Sequence, residues 1–366
     1  GSMNGAKIVQ ARRAALMALD RLESDDVLSI VTYSDRAEVL VPATRVRDRH
    51  VLRRKINHIF TSGRTALYAG TKAGIGQVRE FLRSERVNRV ILLSDGLANI
   101  GPSTPEALGR LGREAVADGI SVTTIGLGLG YNEDLMAKLA YNSDGNHAFV
   151  EDASDLARIF DQEFGNVLSV VAQDIIIHID IYAGFRPHRI LGREAEINGN
   201  RIELKFNQIY GAQQKYVIVE LDPASIGGSG SADLAKVTLS YRGQGSTRQT
   251  SLSENVSVSI TDSESDMKRS INAAVMTDVT TQIAKEENER ALRLRDKGKI
   301  KEASRILEDN AAYLGRAAKE YGSSALQDLS AANRKDARAV TRQHDWNKNR
   351  KSMKARQHKS KVQQTY

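Results

Sequence analysis

Ile91-Leu92-Leu93-Ser94-Asp95-Gly96 is an apolar run that closes on a hydroxyl, a carboxylate and a glycine. A continuous aliphatic segment of this length suits a strand buried on both faces, and the spacing predicts one over Val87 to Leu93. Asp95 then stands just past the strand's carboxyl end, where ligands bind in open α/β sheets. Taken alone, Asp-Gly after a strand is an ordinary turn signal.

Working outward, helix-period and strand-period segments alternate on both sides. Downstream come a helix over Thr104 to Asp118, a strand over Ile120 to Leu127, a helix over Asn132 to Leu139, a short strand over His147 to Val150 and a helix over Ala153 to Phe164. Upstream lie helices over Ala66 to Phe81 and Asp48 to Ile59, a strand over Val27 to Tyr33, and Ala37 to Val41 as its hairpin partner. Ile8, Ala11, Ala15, Leu19 and Leu22 mark an amphipathic helix from Gly5 to Leu22. Such alternation predicts an α/β fold with a doubly wound parallel sheet.

Two further segments carry oxygen donors at helix starts. Ser62-Gly63-Arg64-Thr65-Ala66-Leu67 places a hydroxyl where a helix begins, which by itself reads first as an N-cap. Gly1-Ser2-Met3-Asn4-Gly5-Ala6-Lys7 places another before the first helix. Together with the Ser94-Asp95-Gly96 turn, these motifs resemble the von Willebrand factor A family in order and spacing, over Gly1 to about Phe164. The resemblance implies a Rossmann-like fold and a metal-ion-dependent adhesion site, with Ser2, Thr65 and Asp95 as the metal residues. It also implies Mg²⁺, Ca²⁺ or Mn²⁺ as the ion in the parent protein. Hydroxyls and one carboxylate are hard donors that suit Mg²⁺ with waters retained in its shell.

The family's first Asp and first Ser would precede Gly1. The chain is therefore expected to be a fragment that begins inside the motif, although a Gly-Ser-Met cloning scar gives the same letters. Its sheet would lack the family's first strand, leaving a slot prone to strand exchange, and its metal binding would be weak or absent. The layout further resembles bacterial proteins related to the calcium-activated chloride channel-type group, through "DRAEVLVPAT" and "ILGREAEINGNRIELKFNQIYGAQQKYVIVELD".

After residue 166 the period changes. Short alternating runs at Asp174 to Ile181, Arg201 to Phe206, Lys215 to Leu221, Ala235 to Tyr241 and Asn255 to Ile260 predict an antiparallel β-sandwich over residues 167–261. Asn198-Gly199-Asn200 and the glycine-rich Ile226 to Ser231 supply turns. Residues 262–340 read as a helical hairpin, Asp266 to Lys297 and Ile300 to Tyr321, broken at Gly298. Residues 341–366 hold eight Lys or Arg against Asp345 and read as a disordered basic tail.

The 366 residues include no cysteine, which excludes disulfides and thiolate chemistry. No apolar run reaches the length of a bilayer span. Gly126-Leu127-Gly128-Leu129-Gly130 lacks the spacing of a phosphate loop and reads as a turn. The seven histidines are scattered. The expected function is a divalent-metal-dependent protein-binding module, not an enzyme, whose ion accepts an acidic side chain from a protein partner. A metal-assisted hydrolase is the first alternative, and it would need a general base near Asp95. Contact with an anion or nucleic acid through the basic tail is the second, predicting steep salt dependence.

Overall fold

The computed structural model describes residues 2–61, 63–223 and 229–364, without the side chains of 166–168. Gly1, Ser62 of the second motif and Ile226 to Gly228 of the glycine-rich turn lie outside the described residues.

The α/β part contains α1 (Ala6–Arg21), β1 (Val27–Tyr33), β2 (Ala37–Arg45), α2 (Arg49–Asn57), α3 (Leu67–Arg79), β3 (Asn88–Ser94), α4 (Pro105–Ala117), β4 (Ile120–Leu127), α5 (Glu133–Asn142), β5 (His147–Val150) and α6 (Leu156–Leu168). β3, β4 and β5 form a parallel sheet with β4 in the middle. Every residue of β4 is buried, and its alternate side chains enter two cores. Val122 packs with Leu108, Leu111, Leu135 and Leu139 from α4 and α5. Ile125 and Leu127 pack with Ala14 of α1 and Leu156 of α6. Helices thus cover both faces, as a doubly wound sheet requires.

β1 and β2 form a separate antiparallel pair. Among the described residues no ladder joins β1 to β3, and both strands are mostly half-buried where β4 is wholly buried. α3 packs on β1, β2 and β3 alike, and the Tyr33 hydroxyl donates to the Leu93 carbonyl at 2.6 Å. A side-chain phenol therefore satisfies a backbone acceptor on the edge of β3. Gly70 of α3 makes room for that ring, which lies 2.6 Å from where a Cβ would stand.

Beyond α6, a five-stranded antiparallel sheet runs in the order β12-β11-β6-β9-β8, from β6 (Val170–Ile181), β8 (Glu196–Asn198), β9 (Arg201–Tyr210), β11 (Gly230–Gly243) and β12 (Gln249–Ile260). β7 (Phe185–Leu191) and β10 (Ile218–Pro223) form a second, two-stranded sheet. Ile175, Ile179, Ile202, Leu204 and Phe206 share one core with Phe185 and the half-buried Val219. Gly199 turns the β8–β9 hairpin at φ 62°, the left-handed region where glycine carries no steric cost.

The C-terminal third keeps the expected pair of long helices about Gly298 and adds to it. The long helix expected from Asp266 divides into α7 (Glu264–Ser270) and α8 (Ala273–Asp296), because the Asn272 side chain caps α8 by accepting from Ala274 and Val275. α9 (Ile300–Tyr321) follows the Gly298 break, at φ 80°, and α10 (Ser324–Ala339) packs beside it. The expectation of a disordered tail is corrected as well. Trp346–Val362 form α11, which lies against α8, α10, α5 and β5. Few aliphatic side chains mark it as a docked helix, because its contacts are largely ionic. Arg350 pairs with Glu133, Asp134 and Asp296, and Lys351, 2% exposed, with Glu133. Lys348 pairs with Glu151, Lys354 with Asp134 and Arg356 with Asp336. Five of the eight basic side chains thus face acids of this same chain, which removes the main support for a nucleic-acid contact through the tail.

Candidate functional site

The site forms at the carboxyl end of β3. Asp95 is 3% exposed, and both of its carboxylate oxygens are engaged. The Ser2 hydroxyl donates to Oδ1 at 2.5 Å, and the Lys7 ammonium donates to Oδ2 at 2.7 Å. Lys7 lies in the first turn of α1, and helical side chains lean toward the N-terminus, which carries its head back to the sheet edge.

Thr65 enters from the loop before α3. Its amide donates to the Asn99 side-chain carbonyl at 2.8 Å, and the Asn99 amide returns a bond to the Thr65 carbonyl at 3.2 Å. This reciprocal pair fixes the Thr65 loop to the loop that follows Asp95. A Cβ on Gly96 would stand 3.0 Å from the Thr65 Oγ1 and 3.2 Å from the Ser2 Oγ. The two hydroxyls thus lie above one glycine, beside the carboxylate. The structure brings together all three residues expected from the sequence.

Neighbouring loops brace the arrangement. Gly63 turns at φ 60° below Asp35, whose carboxylate accepts from the Arg64 amide and guanidinium. The hydrogen bonds from Arg64 hold the Asp35 carboxyl below the usual carboxylate range. Burial pushes the Tyr33 phenol well above its ordinary value, so it stays protonated as the donor to Leu93. The β4–α5 loop closes the other side: a Cβ on Gly130 would stand 2.6 Å from the Asp95 carbonyl oxygen. Exposed Leu97 and Leu129 sit on the β3–α4 and β4–α5 loops.

A family model for the von Willebrand factor type A domain matches residues 1–162. These residues are a von Willebrand factor type A (VWA) domain. The chain is 30% identical over 170 residues to the protein sll0103 of Synechocystis, a match over 46% of this chain and 40% of that protein. It is 24% identical over 218 residues to mouse inter-alpha-trypsin inhibitor heavy chain H3, over 56% of this chain and 24% of that one. The chain thus spans less than half the length of these relatives. Among solved structures, a von Willebrand factor type A protein from Catenulispora acidiphila superposes with a TM-score of 0.75 at 17% identity, covering 93% of this chain and 80% of that one. The ArnB paralog VWA2 from Sulfolobus acidocaldarius gives 0.62 at 19% identity, covering 98% and 85%. At these identities the likeness is one of fold, and it extends past the VWA domain into the β-rich and helical parts.

The donor set of the VWA domain fits a hard cation in kind: two hydroxyls and one carboxylate, all oxygen, converge at an accessible edge. It does not form a carboxylate-rich cage. Among the described residues no group of three or more His, Cys, Asp or Glu side chains is placed to hold an ion. Ser2, Thr65 and Asp95 are the residues that would hold one, with water completing its shell.

Two residues escaped the sequence reading. Lys7 ends the quoted Gly1–Lys7 segment and Asn99 lies three residues past Gly96, yet neither is a hydroxyl or an acid at a loop start. The position of Lys7 in a first helical turn was the available signal.

Proposed function

We propose that this chain is a protein-binding module. A divalent cation at Ser2, Thr65 and Asp95 receives an acidic side chain from a protein partner. The convergence of two hydroxyls and one carboxylate beside Gly96, on the edge from which the loops leave, carries the reading. With one protein carboxylate nearby, a bound ion keeps most of its charge for an external anion, which is the chemistry it supplies. This chain's residues do the rest. Asn99 holds Thr65 in register with Asp95, and the buried position of Asp95 fixes its carboxylate. Leu97 and Leu129, exposed on the β3–α4 and β4–α5 loops, offer apolar contact, so the partner presents its acid next to apolar residues.

VWA domains commonly mediate protein interactions, and relatives include heavy chains named for an inhibitor. Among the described residues no helix is long and apolar enough to cross a membrane. Binding without turnover accounts for the site, and the β-rich and helical parts serve to present it. This layout is also the one expected of the bacterial calcium-activated chloride channel-like group. Calorimetric titration of Mg²⁺ into chelator-treated protein and into Asp95→Ala tests the reading. Only the unaltered chain is expected to bind, and weakly, because two hydroxyls and one carboxylate hold the ion without a second protein carboxylate; equal binding by the two refutes the site.

A further inference from the structure

Resting on the metal reading above, we infer that Lys7 is the counter-ion of Asp95 in the metal-free chain and that metal binding exchanges the Lys7 ammonium for the divalent ion. The Lys7 Nζ lies 2.7 Å from Asp95 Oδ2, while Ser2 takes Oδ1, so the carboxylate has no oxygen left without a donor. One carboxylate and one ammonium leave the site with no net charge. A divalent ion drawn to Asp95 meets a cation already on it, and in a site whose carboxylate is 3% exposed the like charges repel strongly.

The niche for the ammonium is built. Lys7 passes over Gly128, with its Nζ 3.5 Å and its Cε 3.7 Å from where a Cβ on that glycine would stand. Gly128 is at φ 70°, and its amide is held by the Val150 carbonyl at 2.7 Å. The β4–α5 loop therefore keeps an open space beside Asp95, which the lysine stem occupies. The Lys7 side chain is 32% exposed, so its head has a path to solvent when it leaves. Once displaced, the ammonium stays on the rim, where it adds a positive charge for the partner's carboxylate. Lys7 thus has two positions, one on Asp95 in the metal-free chain and one facing the ligand.

The pairing opposes metal binding, so its removal has opposite effects on two measurements. Lys7→Met keeps the stem and removes the charge. Its metal-free form is expected to melt lower than the parent, because Asp95 loses its partner. Its Mg²⁺ affinity by calorimetry is expected to be about fivefold higher, the equivalent of an ion pair of about 1 kcal/mol no longer being broken. Lys7→Arg should behave as the parent, and Lys7→Gln replaces Lys7→Met if the latter does not fold. A second measurement uses the unaltered chain: acetylation of Lys7 by acetic anhydride, read by mass spectrometry, should accelerate severalfold at saturating MgCl₂. If the parent binds Mg²⁺ but Lys7→Met binds it no tighter, or Lys7 reactivity stays constant on saturation, the exchange is wrong. If neither chain binds Mg²⁺, the metal reading itself fails, and the exchange with it.

Discussion

Lowering the pH from 7 to 5 is expected to weaken the docking of α11 on the VWA domain, through two buried histidines. His147 of β5 and His358 of α11 face each other edge-on, with ring centroids 5.8 Å apart, and are 2% and 5% exposed. His358 contacts the Gly145 carbonyl through Nε2 at 3.1 Å, and His147 Nδ1 lies 2.8 Å from the Thr124 hydroxyl. The His147 Nε2 is buried without a partner, which fits a neutral ring. Lys351 and Lys361 on α11, Asp144 on the turn before β5, and each histidine's own partner are the charged or titratable groups around the pair. Burial pulls His147 down to about 4, and burial together with His147 pulls His358 down to about 3.

Both shifts disfavour the charged ring in the folded state, so the unfolded chain binds more protons below its own histidine pKa of about 6.5, and stability falls as pH falls through that value. Between pH 7 and pH 5 each group contributes a loss of about 2 kcal/mol, roughly 4 kcal/mol for the pair. Depressed carboxylates such as Asp144, held at about 2, lose their contribution only below the ordinary carboxylate range, outside this window. The chain's single tryptophan, Trp346, begins α11 and sits under the Arg295 guanidinium at 4.7 Å, so its fluorescence reports the helix. Urea titrations followed at Trp346 should give a transition free energy about 4 kcal/mol smaller at pH 5 than at pH 7. The His147→Gln, His358→Gln double variant should lose most of that difference. An undiminished pH dependence in the double variant refutes the argument.

Lys351→Met removes a buried ammonium that donates to the Tyr131 carbonyl and to Glu133. Arg350 remains on Glu133, so the expected loss is near the lower end for breaking a buried pair, about 3 kcal/mol in the same Trp346 transition. A change below about 0.5 kcal/mol would place that pair among ordinary surface contacts. Gly145→Ala should cost more than about 2 kcal/mol, because the added Cβ would stand 2.2 Å from the Val122 carbonyl, a backbone atom that cannot rotate aside; an unchanged melting temperature counts against the packing described. Amide exchange followed by mass spectrometry should be about a hundredfold faster on the unpaired edges of β1 and β3 than in β4, which is paired on both sides. Uniform protection across the three strands contradicts the divided sheet.

The α/β half was legible because its signals are local. Leu92 and Val122 belong to apolar runs whose period identifies buried strands, and Thr104 and Asn132 cap the helices that follow them. The site was legible as a set of donors at loop starts, and Ser2, Thr65 and Asp95 do converge. Lys7 was missed because a lysine on an amphipathic helix reads as a solvated residue until the sheet edge behind it is in place. Tertiary context also overrode local pattern in α8. There Arg295 lies little more than one turn from exposed ion pairs such as Arg290–Glu287, yet it is buried and donates to the Val340 carbonyl and to Gln343. β7 was missed for a similar reason: Pro187 and the charged residues around it give no alternation, and the strand exists through its pairing with β10.

α11 is the extreme case, and its placement joins the two ends of the chain. A helix rich in Lys and Arg carries no apolar stripe, so sequence period cannot tell a docked helix from a solvated one. What decides is whether acids elsewhere meet its charges, and Glu133, Asp134, Asp296, Asp336 and Glu151 do so. Glu133 and Asp134 open α5, where carboxylates also favour the helix dipole, so the same two residues stabilise α5 and anchor α11. The loop before them is held on both sides. Asn347 donates to the Leu129 carbonyl and Lys351 to the Tyr131 carbonyl from the α11 side, while Gly128 and Gly130 face Lys7 and Asp95 on the other. A five-residue loop fixed in this way has little freedom to move at one face alone. Its glycines are therefore constrained from two directions, by the lysine and carboxylate of the candidate site and by the helix that closes the chain.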